Sequence, residues 1–247
     1  MCAASQIQDG GGDPARRDHG RVNRPWLLTG FAVALNAFTL LGVLVWGWPP
    51  GNVYLLFWLE NAVLGVATIP RIVSARRSGP QATINNRPAS PGALAAFFVL
   101  HYGIFCLVHA GFTGVVAYGA GVRLSFAYLG LPALLILVRY AVETAFGWFG
   151  PGGQRWVVSP SQAATQPYPR IVVLHLAVLV AFGLSVARVT HGSRDDWYRY
   201  VEYIVTLLPP QLASPGVFAV VILLLIKSVV DVITTRRWAN VKVGVGS

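Results

Sequence analysis

Glu60 and Asn61 stand side by side in Phe57-Trp58-Leu59-Glu60-Asn61, with apolar residues on both sides. A carboxyl group can hold a cation, carry a proton or serve as a general acid or base, and its partners decide which. The other ionisable groups set in apolar stretches are His101, His109, Arg139, Glu143, His175, Lys227 and Asp231. If these stretches cross a bilayer, a carboxylate near mid-depth costs about 2.5–3.5 kcal/mol even on the lenient insertion scale, so it must be paired or neutralised.

Metal ligation is the first chemistry to weigh for Glu60, His101, His109 and His175. Two ligands on one helix normally sit three or four residues apart, whereas His101 and His109 are eight apart, about 80° of rotation and 12 Å of rise. They do not share one ion easily. No His-Glu-x-x-His or paired His-x-x-x-His occurs anywhere, so a metal set drawn from these four residues is kept only as an alternative. The main expectation is that His101 and Asn61 hydrogen-bond Glu60 across two helices. Arg139 with Glu143, and Lys227 with Asp231, sit four residues apart, which is the spacing of an ion pair on one helix face. Arg139 has a second use, since a guanidinium does not shed its proton and binds anions well.

Composition gives the scaffold. The chain has 247 residues, 55% hydrophobic and 11% charged, with a mean hydropathy of +0.58. Soluble domains carry about 25% charged residues, so an all-α polytopic membrane protein is expected, with the lipid bilayer as its main partner. The net charge of +10 sits in tails and loops beside apolar runs, where it reads as a topology signal rather than a nucleic-acid surface. Cys2 lies in a polar tail and Cys106 in an apolar run, which gives no disulfide framework. The serines lack a Gly-x-Ser-x-Gly elbow and the glycine runs lack a following Lys-Ser/Thr, so serine hydrolase and nucleotide-binding chemistry are unsupported.

Residues 1–25 are polar and Arg-rich and read as a disordered cytoplasmic tail. The first apolar run starts at Trp26 and is too long for a secretory signal, so it is read as an uncleaved helix. Six spans are expected within residues 26–237, at about 26–48, 53–73, 93–118, 124–148, 171–189 and 216–234, each near the twenty residues that cross hydrocarbon. Residues 238–247 form a second cytoplasmic tail. Between the fifth and sixth spans, Val201, Ile204, Val205 and Leu208 repeat at helical spacing behind Trp197, Tyr198 and Tyr200, which suits an interfacial helix. With both termini inside an inner membrane, Arg71, Arg76, Arg77, Arg87, Arg155, Arg170, Arg236 and Arg237 all fall on the inner side, as basic residues do.

The run Phe57 to Asn61, the string His101-Tyr102-Gly103-Ile104-Phe105-Cys106-Leu107-Val108-His109, His175, and Lys227 with Asp231 together resemble a family of prokaryotic multi-pass membrane proteins, domain of unknown function 6498. The resemblance covers about residues 26–237. It implies that Trp58, Glu60, Asn61, His101, His109, His175, Lys227 and Asp231 are the positions of interest, and it implies no activity. Acid and histidines in a helical bundle are also similar to membrane hydrolases of the ceramidase type, which bind zinc through three histidines, but this chain lacks their terminal histidine pair. The expectation is therefore binding or transport of a small solute or ion through a central layer of Glu60 and His101. A metal-assisted intramembrane hydrolase and a structural subunit without chemistry are the alternatives. Neither cofactor nor oligomeric state is assigned by these residues.

Overall fold

Proline and serine set the helix starts in this protein. The computed structural model describes residues 25–79, 83–84, 87–191 and 215–239, with isolated positions at 199, 203, 207 and 209. Helix α1 spans Pro25–Leu44 and α2 spans Pro50–Ser74, which opens on a proline that gives up no helical hydrogen bond there. Helix α3, Pro91–Gly119, has the same proline start, and Ser90 accepts from the Ala93 amide as its cap. Helix α4, Leu131–Val142, is flanked by wider π turns at Phe126–Gly130 and Glu143–Trp148. Ser159 and Gln162 form a reciprocal capping box on the short α5, Pro160–Thr165. It leads into α6, Tyr168–His191, and Pro215–Ala239 forms α7.

Among the described residues the architecture is helical, apart from a two-residue antiparallel ladder pairing Thr83 with Pro88 and Ile84 with Arg87. Among the described residues, five stretches are long and apolar enough to cross a membrane: Pro50–Ser74, Pro91–Gly119, Phe126–Trp148, Pro160–Phe182 and Gly216–Thr234. In α1 the described apolar stretch, Thr29–Leu44, is shorter. The expected fifth span shifts toward the N-terminus, because α5 and α6 together carry the apolar stretch from Pro160 and place Arg170 within it rather than in a loop. The expected interfacial helix falls largely on residues outside those described, as do both tails.

Helix α2 is the axis of the bundle. It packs along α3 and also meets α4, α5, α6 and α7, while α1 lies against α7. Close approach to α3 depends on two glycines: a Cβ on Gly65 would enter the Tyr102 ring, and one on Gly51 would meet the carbonyls of Ala117 and Gly121. Trp58 Nε1 donates to the Cys106 carbonyl at 2.9 Å and Tyr102 OH donates to the Asn61 carbonyl at 2.9 Å, fixing the register of the pair. At one end, Asn52 clamps the chain before α4, donating to the carbonyls of Arg123 at 2.9 Å and Tyr128 at 3.1 Å and accepting from the Arg123 amide at 2.9 Å. The outward face of α3 leaves Leu100, Ile104, Leu107 and Val115 exposed, an apolar surface of the kind that lipid or a partner covers.

Candidate functional site

The polar groups of the core converge from five helices. Glu60 of α2 is 5% exposed and is held on both carboxylate oxygens. Arg139 Nη1 of α4 lies 2.7 Å from Oε1, Tyr140 OH donates to the same oxygen at 3.1 Å, and Lys227 Nζ of α7 lies 2.9 Å from Oε2. Lys227 also donates to Asp231 Oδ2 at 2.6 Å and to Asn36 Oδ1 of α1 at 2.7 Å, and Asn36 Nδ2 donates to Asp231 Oδ2 at 3.1 Å. Arg170 of α6 donates from Nη1 to Tyr140 OH at 2.8 Å, and its Nε is 3.0 Å from Asp231 Oδ1. Phe57 lies beneath the Lys227 ammonium at 5.4 Å, and both Arg139 and Arg170 stack over the Tyr140 ring. Planar guanidinium groups meet carboxylates and aromatic faces in this way at a lower desolvation cost than an ammonium.

A second ion pair flanks this layer. Arg71 Nη1 lies 3.3 Å from Glu143 Oε1 and its Nη2 donates to Thr144 Oγ1 at 2.9 Å. Glu143 was expected to pair with Arg139 at i, i+4, and it does not. The helix changes to π geometry at Glu143, which carries its carboxylate round to α2, while Arg139 turns to Glu60. The i, i+4 pair of Lys227 and Asp231 does form, as one edge of the larger network.

Between these groups is a small cavity lined by Phe57, Glu60, Asn61, Tyr140, Arg170, Lys227 and Asp231, among others, with about 10 Å³ open to the centre of a water molecule, room for about one water. Asn61 is buried on its wall, with Nδ2 donating to the Phe57 carbonyl at 2.9 Å and Oδ1 without a hydrogen-bond partner. Asn61 therefore does not bond Glu60, contrary to expectation.

The histidines do not join the acid. His101 is exposed and stacks on Phe97 at 5.6 Å, so the expected Glu60–His101 contact is replaced by Arg139 and Lys227. His109 and His175 meet each other instead, with Nε2 and Nδ1 2.7 Å apart, while His109 Nδ1 donates to the Phe105 carbonyl at 2.8 Å. A carbonyl only accepts, so neutral His109 presents a lone pair at Nε2 to an N–H on His175. Of the alternative metal set, only these two residues come together. Among the described residues, no group of three His, Cys, Asp or Glu is placed to hold an ion.

Asn36, Arg71, Tyr140 and Arg170 belong to the network and were not read as site residues. Asn36 had a visible signal, as the one amide in the apolar run from Trp26 to Trp48. Arg170 had none, because it reads as a charge at the lip of the next span.

Compared with known proteins, residues 22–242 match the model of a family of unknown function (DUF6498). No curated protein and no solved structure matches.

Proposed function

The chain belongs to that family of unknown function, and we propose that it is a multi-pass inner-membrane protein that binds and moves a small ion or solute through its buried charged layer. Six spans with both termini cytoplasmic complete this reading. The 20 residues of α1 reach about 30 Å at 1.5 Å each, enough to make it the sixth crossing. Counted from the outer helix ends at Leu44, Pro50, Phe126 and Pro215, Asn36, Glu60, Arg139 and Lys227 then lie roughly 12–20 Å deep, near the middle of the hydrocarbon.

The observation that carries the reading is the cavity, walled by two carboxylates, an ammonium and a guanidinium from three different helices. Ionisable groups at such depth are expensive and, where they line a space, mark a path for ions or protons. The structural-subunit reading is supported by the near-complete pairing of the same groups, and function separates the two. Purified protein reconstituted in liposomes is tested with entrapped pH, halide and cation dyes under imposed gradients. The reading expects a flux above that of empty liposomes for at least one ion. Folded protein that moves none of them would sink the transport reading and leave the layer as packing.

A further inference from the structure

The layer and its flanking pair contain four bases, Arg71, Arg139, Arg170 and Lys227, and three acids, Glu60, Glu143 and Asp231. No other acid occurs in residues 25–191 or 215–239. One positive charge is left over, and the contacts say which. Arg139 is matched to Glu60 at 2.7 Å, Lys227 to Asp231 at 2.6 Å and Arg71 to Glu143 at 3.3 Å.

Arg170 remains. Its Nη1 donates to a neutral hydroxyl, since Tyr140 gives its own proton to Glu60. Its Nε lies near Asp231 Oδ1, but neither atom makes a hydrogen bond of acceptable geometry. Asp231 is meanwhile neutralised on its other oxygen by Lys227, with the neutral Asn36 amide donating to that same oxygen. A guanidinium does not lose its proton to escape burial, so the charge needs an outside counter-ion. Arg170 also forms part of the cavity wall, and that space holds about one water, so a halide, which is slightly larger, takes the place of that water with a small outward shift of the wall.

We infer that the charged layer takes up one compact monovalent anion, of halide size, against the Arg170 guanidinium. This rests on the ion-handling reading above and names the class of ion. Glu60 on the same wall does not repel it strongly, because Arg139, Lys227 and Tyr140 already cover both of its oxygens. A polyatomic anion such as sulfate is too large for the space and carries too much charge.

The test is thermal unfolding of purified protein in detergent, with sodium gluconate replaced stepwise by sodium chloride or bromide at constant ionic strength. Wild type is expected to gain several degrees, saturably, because a ligand bound only by the folded state raises its melting temperature. Arg170→Gln removes the surplus charge and should show no gain. Should that variant fail to fold, Asn61→Asp places a compensating carboxylate on the cavity wall and should likewise melt independently of halide. A wild type indifferent to halide overturns the inference, as does a wild-type-like gain in Arg170→Gln or in Asn61→Asp. The two proposals fail separately. Proton or sodium flux in gluconate with halide-independent melting would overturn the anion and keep ion handling, whereas halide-dependent melting without any flux would support the anion and remove transport.

Discussion

The partner of Arg139 is the sharpest point on which this structure departs from sequence spacing, and a double-mutant cycle reads it directly. Arg139→Met leaves Glu60 buried but still held by Lys227 at 2.9 Å and Tyr140 at 3.1 Å. Stranding one member of a buried pair costs about 3–5 kcal/mol; with two partners remaining, the lower end applies, about 3 kcal/mol. Glu60→Gln keeps the shape and removes the charge. In the Arg139→Met/Glu60→Gln double variant nothing charged is stranded by the loss of that pair, so a coupling of about 2 kcal/mol is expected, inside the range for residues in direct contact. The control is Arg139→Met with Glu143→Gln, whose coupling should be clearly smaller than that with Glu60, because Arg71 and not Arg139 bonds the Glu143 carboxylate. The assay is reversible denaturant unfolding in mixed micelles, followed by circular dichroism. Coupling of Arg139 to Glu143 rather than to Glu60 would refute the reasoning.

Three further outcomes follow from the packing. Gly65→Ala drives a methyl into the Tyr102 ring at the α2–α3 contact, so unfolding measurements should show a loss of about 1–3 kcal/mol, the usual cost of overpacking. His101→Phe should leave stability within about 0.5 kcal/mol of wild type, since the ring is exposed and only stacks on Phe97. His109→Phe removes both imidazole hydrogen bonds and should cost about 1–3 kcal/mol in the same assay; equal effects at 101 and 109 would contradict this placement. Reporters fused at both termini should respond as cytoplasmic and one inserted after Pro50 as external, and a periplasmic C-terminus would remove the six-span reading.

Local rules carried the fold further than they carried the site. Apolar run length was enough to place α2, α3, the stretch Phe126–Trp148 around α4, and the apolar part of α7 within a few residues, although Pro50, read as part of a turn, in fact opens a helix. The fifth stretch was displaced because Gln166 and Pro167 read as loop, while the Ser159 capping box starts a helix upstream of them. In the site, Glu60 and the Lys227–Asp231 pair were legible: an acid in an apolar run has to be satisfied, and i, i+4 spacing holds within a regular helix. Two things were not. The π turn at Glu143 breaks that spacing and has no sequence signature. Sequence position also set Glu60 and His101 in one central layer and the Lys227–Asp231 pair in a separate inner one, but gave no direction, and direction decided that Arg139 and Lys227 reach the acid while His101 points outward.

The claim on which the account turns is that Glu60 is used and not merely satisfied. The most direct measurement is ion flux through liposomes carrying equal amounts of folded wild-type and Glu60→Gln protein, because the amide preserves shape and removes one charge from the cavity wall. The account predicts that Glu60→Gln, although less stable because it strands Arg139, still inserts and folds under the assay conditions yet loses at least tenfold in flux, about 1.4 kcal/mol in the barrier. Equal flux through the two proteins would contradict it and leave Glu60, with Arg139 and Lys227, as the lock that holds α2, α4 and α7 together.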